Sequence, residues 1–230
     1  MTGSARTRKF RQWIRRVRRP SFPDLFRRSA PLSDAWGYDR GTPIDRYYVE
    51  SFLKKHGRDI TGRTLEVAET EYTRRFGVGV THMDALDSDP SGVEVTIHAD
   101  LSIREQIPEC AFDCFICTQT LHLIYDIRSA VENAHRLLKP GGVLLATLPC
   151  MARIDPAEKE EFWRVTHDSC ARLFTEIFGA QNVTVESYGS LATCISFLQG
   201  RSAEEMSQKR LDEFDEAFPL TVCVRAFKAL

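Results

Sequence analysis

The sequence predicts a doubly wound α/β fold, and three observations carry that expectation. Short apolar runs at 64–67, 79–83, 94–99, 112–118 and 143–148 alternate with helical patterns, the rhythm of successive β-turn-α units. The run 112–118 is apolar on both faces, as a central parallel strand should be. Glu66, Asp84 and Asp100 then fall at the ends of three runs, separated by 18 and 16 residues, about one unit each. Crossovers of such a sheet are right-handed, so the architecture is a Rossmann-like, mostly parallel sheet in three αβα layers.

Each element follows from its local pattern. Pro20, Pro23 and Pro31 mark a linker, which divides a leader, residues 1–31, from a main domain, residues 32–230. Residues 36–48 lead into a helix that runs to about Lys55, and residues 64–67 make the first strand. A second strand covers 79–83 and ends in Asp84; a third covers 94–99 and ends in Asp100. Ile127, Val131, Ala134, Leu137 and Leu138 form a helical stripe that Pro140-Gly141-Gly142 stops. Beyond the fifth strand, 169–178 reads as a helix and 183–188 as a strand. A mostly helical insertion with an acidic section at 203–216 follows, and 221–228 supplies a last, antiparallel strand.

Charge is unevenly placed. The net charge of -1 conceals a leader, residues 1–28, with ten Lys/Arg against the single acid Asp24. Within it Phe10, Trp13, Ile14 and Val17 fall at i, i+3, i+4 and i+7 among arginines, an amphipathic helix that ends before Pro20. Three roles fit that helix: a lid or docking helix on the domain, an anchor at an anionic membrane surface, or a nucleic-acid contact. With no nucleic-acid-binding fold legible elsewhere, nucleic acid is not expected as a partner. No run of about 18 apolar residues exists for an ordinary transmembrane helix, and the leader lacks the apolar region of a secretory signal.

Seven cysteines, an odd number spread through apolar segments, suit a reduced, cytoplasmic protein. Cys114-x-x-Cys117 invites a zinc or redox reading, but in a strand residues three apart point to opposite faces. Buried apolar thiols are the simpler reading, and no metal is expected.

The chemistry concentrates at residues 63–77. An apolar strand ending in an acid, then a tight turn into a helix, is how open α/β sheets receive an adenosine-containing cofactor at their carboxyl edge. Carboxylates at successive strand ends can accept hydrogen bonds from ribose hydroxyls and an exocyclic amine, although any one alone reads equally as a helix cap. Ala68 and Thr70 stand where glycines are expected. A turn with φ < 0 would accept Ala68; one with φ > 0 would resist it.

These features resemble the class I S-adenosylmethionine-dependent methyltransferases, in particular the small type 11-like group often met beside glycosyltransferases. The resemblance covers residue 32 to the C-terminus. It rests on Trp36-Gly-Tyr-Asp-Arg-Gly-Thr-Pro-Ile-Asp-Arg-Tyr-Tyr48, Leu65-Glu-Val67, Tyr72-Thr-Arg-Arg-Phe-Gly77, Phe112-Asp-Cys114, Thr118-Gln-Thr-Leu121, Leu138-Lys-Pro-Gly-Gly142, Trp163-Arg164 and Val224-Arg-Ala226.

The resemblance implies S-adenosylmethionine as cofactor and S-adenosylhomocysteine as product. It places Glu66 and the Ala68 turn, with Tyr72, beneath the cofactor's amino-acid part, Asp84 on the ribose, and Asp100 and Leu101 around the adenine. Thr118 and Gln119 would line the cleft near the sulfonium. Tyr38, Arg40 and Gly41 would belong to an N-terminal lid, with Arg40 pairing a cofactor carboxylate or an anionic substrate; a structural loop is the alternative. The sequence departs from the family at Leu123, where many relatives place histidine, and at Cys150, usually glycine. His122 and His167 are the candidate catalytic bases, and Cys150, Trp163 and Arg164 the candidate substrate contacts. The implied activity is methyl transfer to a small-molecule or glycan-derived acceptor, at oxygen. The alternatives are a cofactor-binding accessory protein and a relative repurposed for non-methyl chemistry.

Overall fold

The computed structural model describes residues 13–14, 30–89, 94–155 and 160–230. Trp13 and Ile14 are helical; the rest of the amphipathic stripe expected at 10–17 lies outside the described residues. The chain divides into two compact units, one of residues 49–150, 154–187 and 221–230, the other of residues 1–48, 151–153 and 188–220.

The first unit holds the sheet. Its strands are β1 (Gly62–Val67), β2 (Val80–Asp87), β3 (Ile97–His98), β4 (Phe112–Thr118), β5 (Leu138–Pro149), β6 (Val183–Tyr188) and β7 (Thr221–Phe227). Their spatial order is β3-β2-β1-β4-β5-β7-β6. β1 pairs in parallel with β2 and β4, and β4 with β5, whereas β7 runs antiparallel to β5. The expected topology is therefore present. Helices α1 (Ile44–Lys55), α2 (Glu71–Phe76), α3 (Ile127–Leu137) and α4 (His167–Phe178) connect or flank these strands.

The core explains why β4 sits centrally. Phe112, Cys114, Phe115, Ile116 and Cys117 are all fully buried, and each large apolar side chain so removed from water contributes about 1.5–3 kcal/mol. Both thiols of the Cys-x-x-Cys lie in that core, where burial pushes Cys117 up to about 12 and raises Cys114 as well. Against this layer α3 lays Ala130, Val131, Ala134 and Leu137; Asp126 caps it by accepting the Ser129 amide at 3.1 Å. A reciprocal Thr166–Ser169 capping box begins α4, and Gly179, at φ 88, ends it.

Two strand ends differ from the sequence expectation. β2 continues through the buried Ala85 and Leu86 to Asp87, so Asp84 lies inside the strand opposite Leu65. β3 is only two residues long, and Asp100 follows it in a turn rather than ending it.

The second unit is built around Ile44, Tyr48, Cys194, Phe197, Leu211 and Leu220, with α5 (Leu191–Leu198) and α6 (Gln208–Leu211) contributing. Arg40 is 1% exposed there and grips Glu205 with two hydrogen bonds, Nε to Oε2 at 2.8 Å and Nη2 to Oε1 at 2.5 Å. Gly37 has φ 94, and a Cβ there would come within 2.7 Å of the Arg201 carbonyl oxygen, so glycine is required. Among the described residues no helix is long and apolar enough to cross a membrane.

Candidate active site

The sheet changes winding direction between β1 and β4: the chain goes from β1 outward to β2 and β3, then returns to β4 and continues to β5. A crevice opens at the carboxyl ends of such neighbouring strands, and ligands of open α/β sheets bind there. The next residues are strained on both sides of it. Ala68, just beyond β1, has φ 65, and Gln119, just beyond β4, has φ 48. Each turn is held by an amide donated to the adjoining strand, Ala68 to the Leu86 carbonyl and Gln119 to the Thr147 carbonyl, both at 2.9 Å. A non-glycine residue in this region costs about 1–3 kcal/mol, and such strain concentrates at functional sites. The sequence left the sign of φ at Ala68 open; the turn is of the kind that resists a side chain.

Beneath the Ala68 turn, Glu66 is 2% exposed and accepts the backbone amides of Tyr72 at 3.0 Å and Thr73 at 2.8 Å, plus the Thr73 hydroxyl at 2.8 Å. It thereby satisfies the free N–H groups that open α2. Burial raises its carboxyl above the ordinary value, against these hydrogen bonds. Tyr72 places its ring against Phe76, with centroids 6.2 Å apart.

Asp84, the acid expected on the ribose, lies inside the sheet. That carboxylate is 4% exposed and committed within the sheet, accepting from Arg63 Nε at 2.7 Å and from the Thr96 hydroxyl at 3.0 Å. Although burial opposes it, these partners hold its carboxyl below the ordinary value. Asp87, three residues later, occupies the strand end, one position past the Leu86–Val67 pair. Its Oδ1 accepts the Asp89 amide at 2.9 Å, leaving Oδ2 for a ligand hydroxyl. The signal that could have found it was the apolar Ala85-Leu86 pair, which continues the strand beyond the first acid.

Asp100 keeps its place in the turn after β3, its Oδ1 accepting from the Ser102 amide at 2.8 Å and hydroxyl at 2.7 Å. Leu101 is 3% exposed and packs in the main core beside this turn. Thr118 and Gln119 stand at the end of β4 as expected. Tyr38 and Gly41 belong to the second unit with Arg40. The Arg40 guanidinium, expected to meet a cofactor carboxylate or an anionic substrate, is committed to Glu205 instead, and Tyr38 accepts a hydrogen bond from Arg46 at 3.0 Å.

The segments after β4 and β5 are tied together. His122, in a 3-10 turn at Leu121–Leu123, offers its carbonyl to the amides of Phe162 at 3.0 Å and Trp163 at 3.2 Å. The imidazole is 8% exposed, and its Nδ1 has no hydrogen-bond partner. Burial, helped by the Arg164 charge, pushes it down to about 4. It is therefore uncharged at neutral pH and a weak base. Arg164 pairs with Glu161, and the Trp163 indole donates to the Ile124 carbonyl at 3.0 Å. Cys150 is half-buried at the end of β5, and burial raises its thiol. His167, the first residue of α4, is exposed and sits 3.2 Å from the Ser187 hydroxyl, so the two candidate bases occupy different surroundings.

Residues 45–146 match the family model for methyltransferase domains. Over that span the chain is similar to methyltransferase domains. Solved structures of similar fold include a SAM-dependent methyltransferase from Archaeoglobus fulgidus, 11% identical, with a TM-score of 0.53 over 80% of this chain and 94% of that one. Another from Mesorhizobium loti is 15% identical, with a TM-score of 0.51 over 80% and 98%. The [4+2]-cyclase SpnF, 15% identical, aligns with a TM-score of 0.50 over 83% and 85%. No curated protein sequence matches the chain.

The residues at this edge of the sheet fit S-adenosylmethionine, the cofactor that the resemblance implies. Ala68 takes up the left-handed backbone that glycine would provide, with its methyl exposed, and Asp87 leaves a carboxylate oxygen for a ribose hydroxyl.

Proposed function

We propose that the protein transfers a methyl group from S-adenosylmethionine to an oxygen of a small-molecule acceptor held above the carboxyl ends of β4 and β5. The observation that supports it is the pair of strained turns at Ala68 and Gln119, one on each side of the switch between β1 and β4. Asp87 would hold the ribose, Asp100 the base side, and Thr118 with Gln119 the floor beside the reacting centre. The cofactor supplies an activated methyl on a sulfonium. The remaining task of the chain is alignment, because in-line displacement is accelerated chiefly by holding the nucleophile about 3–3.5 Å from the carbon.

A neutral His122 with a depressed basicity orients an acceptor through a hydrogen bond and takes little part in proton removal. Trp163 and Arg164 shape the acceptor side, Arg164 through its pairing with Glu161. The resemblance favours a glycan-derived hydroxyl within this acceptor class. The seven free cysteines support a reducing, cytoplasmic setting.

A second reading, cofactor binding without methyl transfer, draws on one feature: Ala68, Thr70 and Tyr72 leave the turn from β1 into α2 without a glycine. Calorimetric titration with S-adenosylhomocysteine tests the shared part. Asp87→Ala should weaken binding about tenfold, near 1.4 kcal/mol. Equal affinity in wild type and variant refutes this placement of the cofactor. Transfer of labelled methyl to added acceptors then separates the two readings.

A further inference from the structure

Helix α5 is apolar on the side it turns to water. Its sequence, Leu191-Ala-Thr-Cys-Ile-Ser-Phe-Leu198, holds no charged residue, and Thr193, Cys194, Ser196 and Phe197 form its buried face. Leu191, Ile195 and Leu198, at i, i+4 and i+7, are 47%, 38% and 41% exposed. A surface helix ordinarily carries polar or charged groups on such a stripe, whereas a helix that is apolar all round is built to be covered. Phe214, 52% exposed, stands in the loop joined to the N-terminal end of α5, where the Asp215 amide donates to the Gly189 carbonyl at 3.0 Å.

The occupant of the stripe is indicated by where the chain enters this unit. The Leu32 amide donates at 2.7 Å to the carbonyl of Gln199, the residue that caps α5, and a Cβ on Gly200 would lie 2.5 Å from the Ser33 carbonyl oxygen. The leader therefore departs from the C-terminal end of the exposed stripe, and both belong to the second compact unit. Trp13 of that leader is helical and 54% exposed. With Phe10, Ile14 and Val17 it makes an apolar stripe over seven residue steps, about 10 Å of helix, the same length as Leu191 to Leu198. Charge agrees with that pairing. Residues 212–216, Asp-Glu-Phe-Asp-Glu, hold four acids and no base, with Glu213 and Glu216 exposed, against the ten Lys/Arg of residues 1–28. The same acids repel an anionic membrane. A second copy is disfavoured by size, since three side chains at these exposures offer on the order of 250 Å², well short of the roughly 800 Å² per partner that a stable dimer buries. A tethered segment needs less surface, because its linker holds it at an effective concentration in the millimolar range.

We propose that the leader helix docks on the outer face of α5, its stripe of Phe10, Trp13, Ile14 and Val17 against Leu191, Ile195 and Leu198, with its arginines over the acidic loop at 212–216. The basic leader is then an intramolecular cover for the unit that contains α5. This goes beyond the methyl-transfer reading and does not depend on it.

Hydrogen exchange of the full chain, followed by mass spectrometry at low protein concentration and low salt, tests the docking. Amides of residues 11–17 should exchange at least about tenfold more slowly than in a free peptide of residues 1–28, as a packed helix does and an isolated short one does not. Trp13→Ser, Leu198→Ser and the pair Glu213→Lys with Glu216→Lys should each remove most of that protection, while β4 and β5 keep theirs. Trp13→Ser and the charge reversal leave α5 itself unaltered, so they decide the matter even if Leu198→Ser disturbs folding. Combining Trp13→Ser with Leu198→Ser should add nothing beyond either alone, the mark of a shared contact. Exchange of the leader at the free-peptide rate overturns the proposal, as does protection that both Leu198→Ser and the charge reversal leave unchanged. Protection that appears only as protein concentration rises overturns it in favour of a second copy, and protection that appears only with phosphatidylglycerol vesicles overturns it in favour of a lipid surface.

Discussion

Replacing Ala68 by glycine isolates the strain at the mouth of the crevice. Ala68 has φ 65, where an L-residue with a Cβ is disfavoured by about 1–2 kcal/mol per residue relative to its usual regions. Its methyl is exposed, so almost no apolar burial is lost when it is removed. Against the relief stands the larger conformational freedom of glycine in the unfolded chain, about 0.4–1 kcal/mol. The difference leaves Ala68→Gly more stable by about 0.8 kcal/mol. For a chain of this size that corresponds to a rise in melting temperature of roughly 2–3 °C, measurable by calorimetry or by thermal circular dichroism. Ala68→Val should move the other way by at least about 1 kcal/mol, because a β-branched residue is still less compatible with this conformation. A fall in melting temperature for the glycine variant would refute the strained-turn reasoning, since only a φ < 0 backbone or a buried methyl produces it.

Other perturbations separate neighbouring roles. Asp84→Asn should cost about 1–2 kcal/mol by weakening the Arg63 and Thr96 contacts, seen in urea unfolding, whereas Asp87→Ala should leave the unfolding midpoint nearly unchanged. Neutral His122 contributes stability that is fully present above its ordinary value of 6.5 and lost as pH falls through about 4. Unfolding followed at pH 7 and 4.5 should show His122→Phe losing less stability than wild type over that interval, by an amount on the order of 2 kcal/mol. Asp45 works in the opposite sense, because burial raises its carboxyl to about 6, so its contribution is present at low pH and lost as pH rises through 6. Asp45→Asn should accordingly improve stability at pH 7 relative to pH 4.5. Arg225→Met, which leaves Asp59 without its two guanidinium contacts at 2.8 and 2.9 Å, should destabilise by about 1–2 kcal/mol in the same assay.

Periodicity and burial made the sheet legible. The span of β4 follows from a run with no solvated face, and β6 from a run bounded by a glycine-asparagine turn and Gly189. Charge misled at β2, where Asp84 read as a strand end. Its negative charge is tolerated inside because Arg63, on the neighbouring strand, reaches it sideways, a pairing that sequence spacing does not reveal. Arg40 misled for the same reason, since Glu205 lies 165 residues away. The positions of Glu66, Thr118 and Gln119 were legible, because they depend on local strand ends. The backbone sign at Ala68, the unsatisfied nitrogen of His122 and the meeting of Tyr125 with Phe162 and Trp163 depend on the folded chain and leave no periodic trace.

The placement of β7 has a consequence for biosynthesis. It is inserted between β5 and β6 although it is made after both. While the ribosome is still producing residues 189–220, β5 therefore exposes an unpaired ladder of amides and carbonyls along with Leu144, Leu145 and Leu148, and β6 lacks the neighbour it will eventually have. Such an open border invites association with other nascent chains. Assembly is thus held back until the seven residues of β7 arrive, and the yield of soluble protein should respond to how quickly translation passes through the acidic stretch that precedes them.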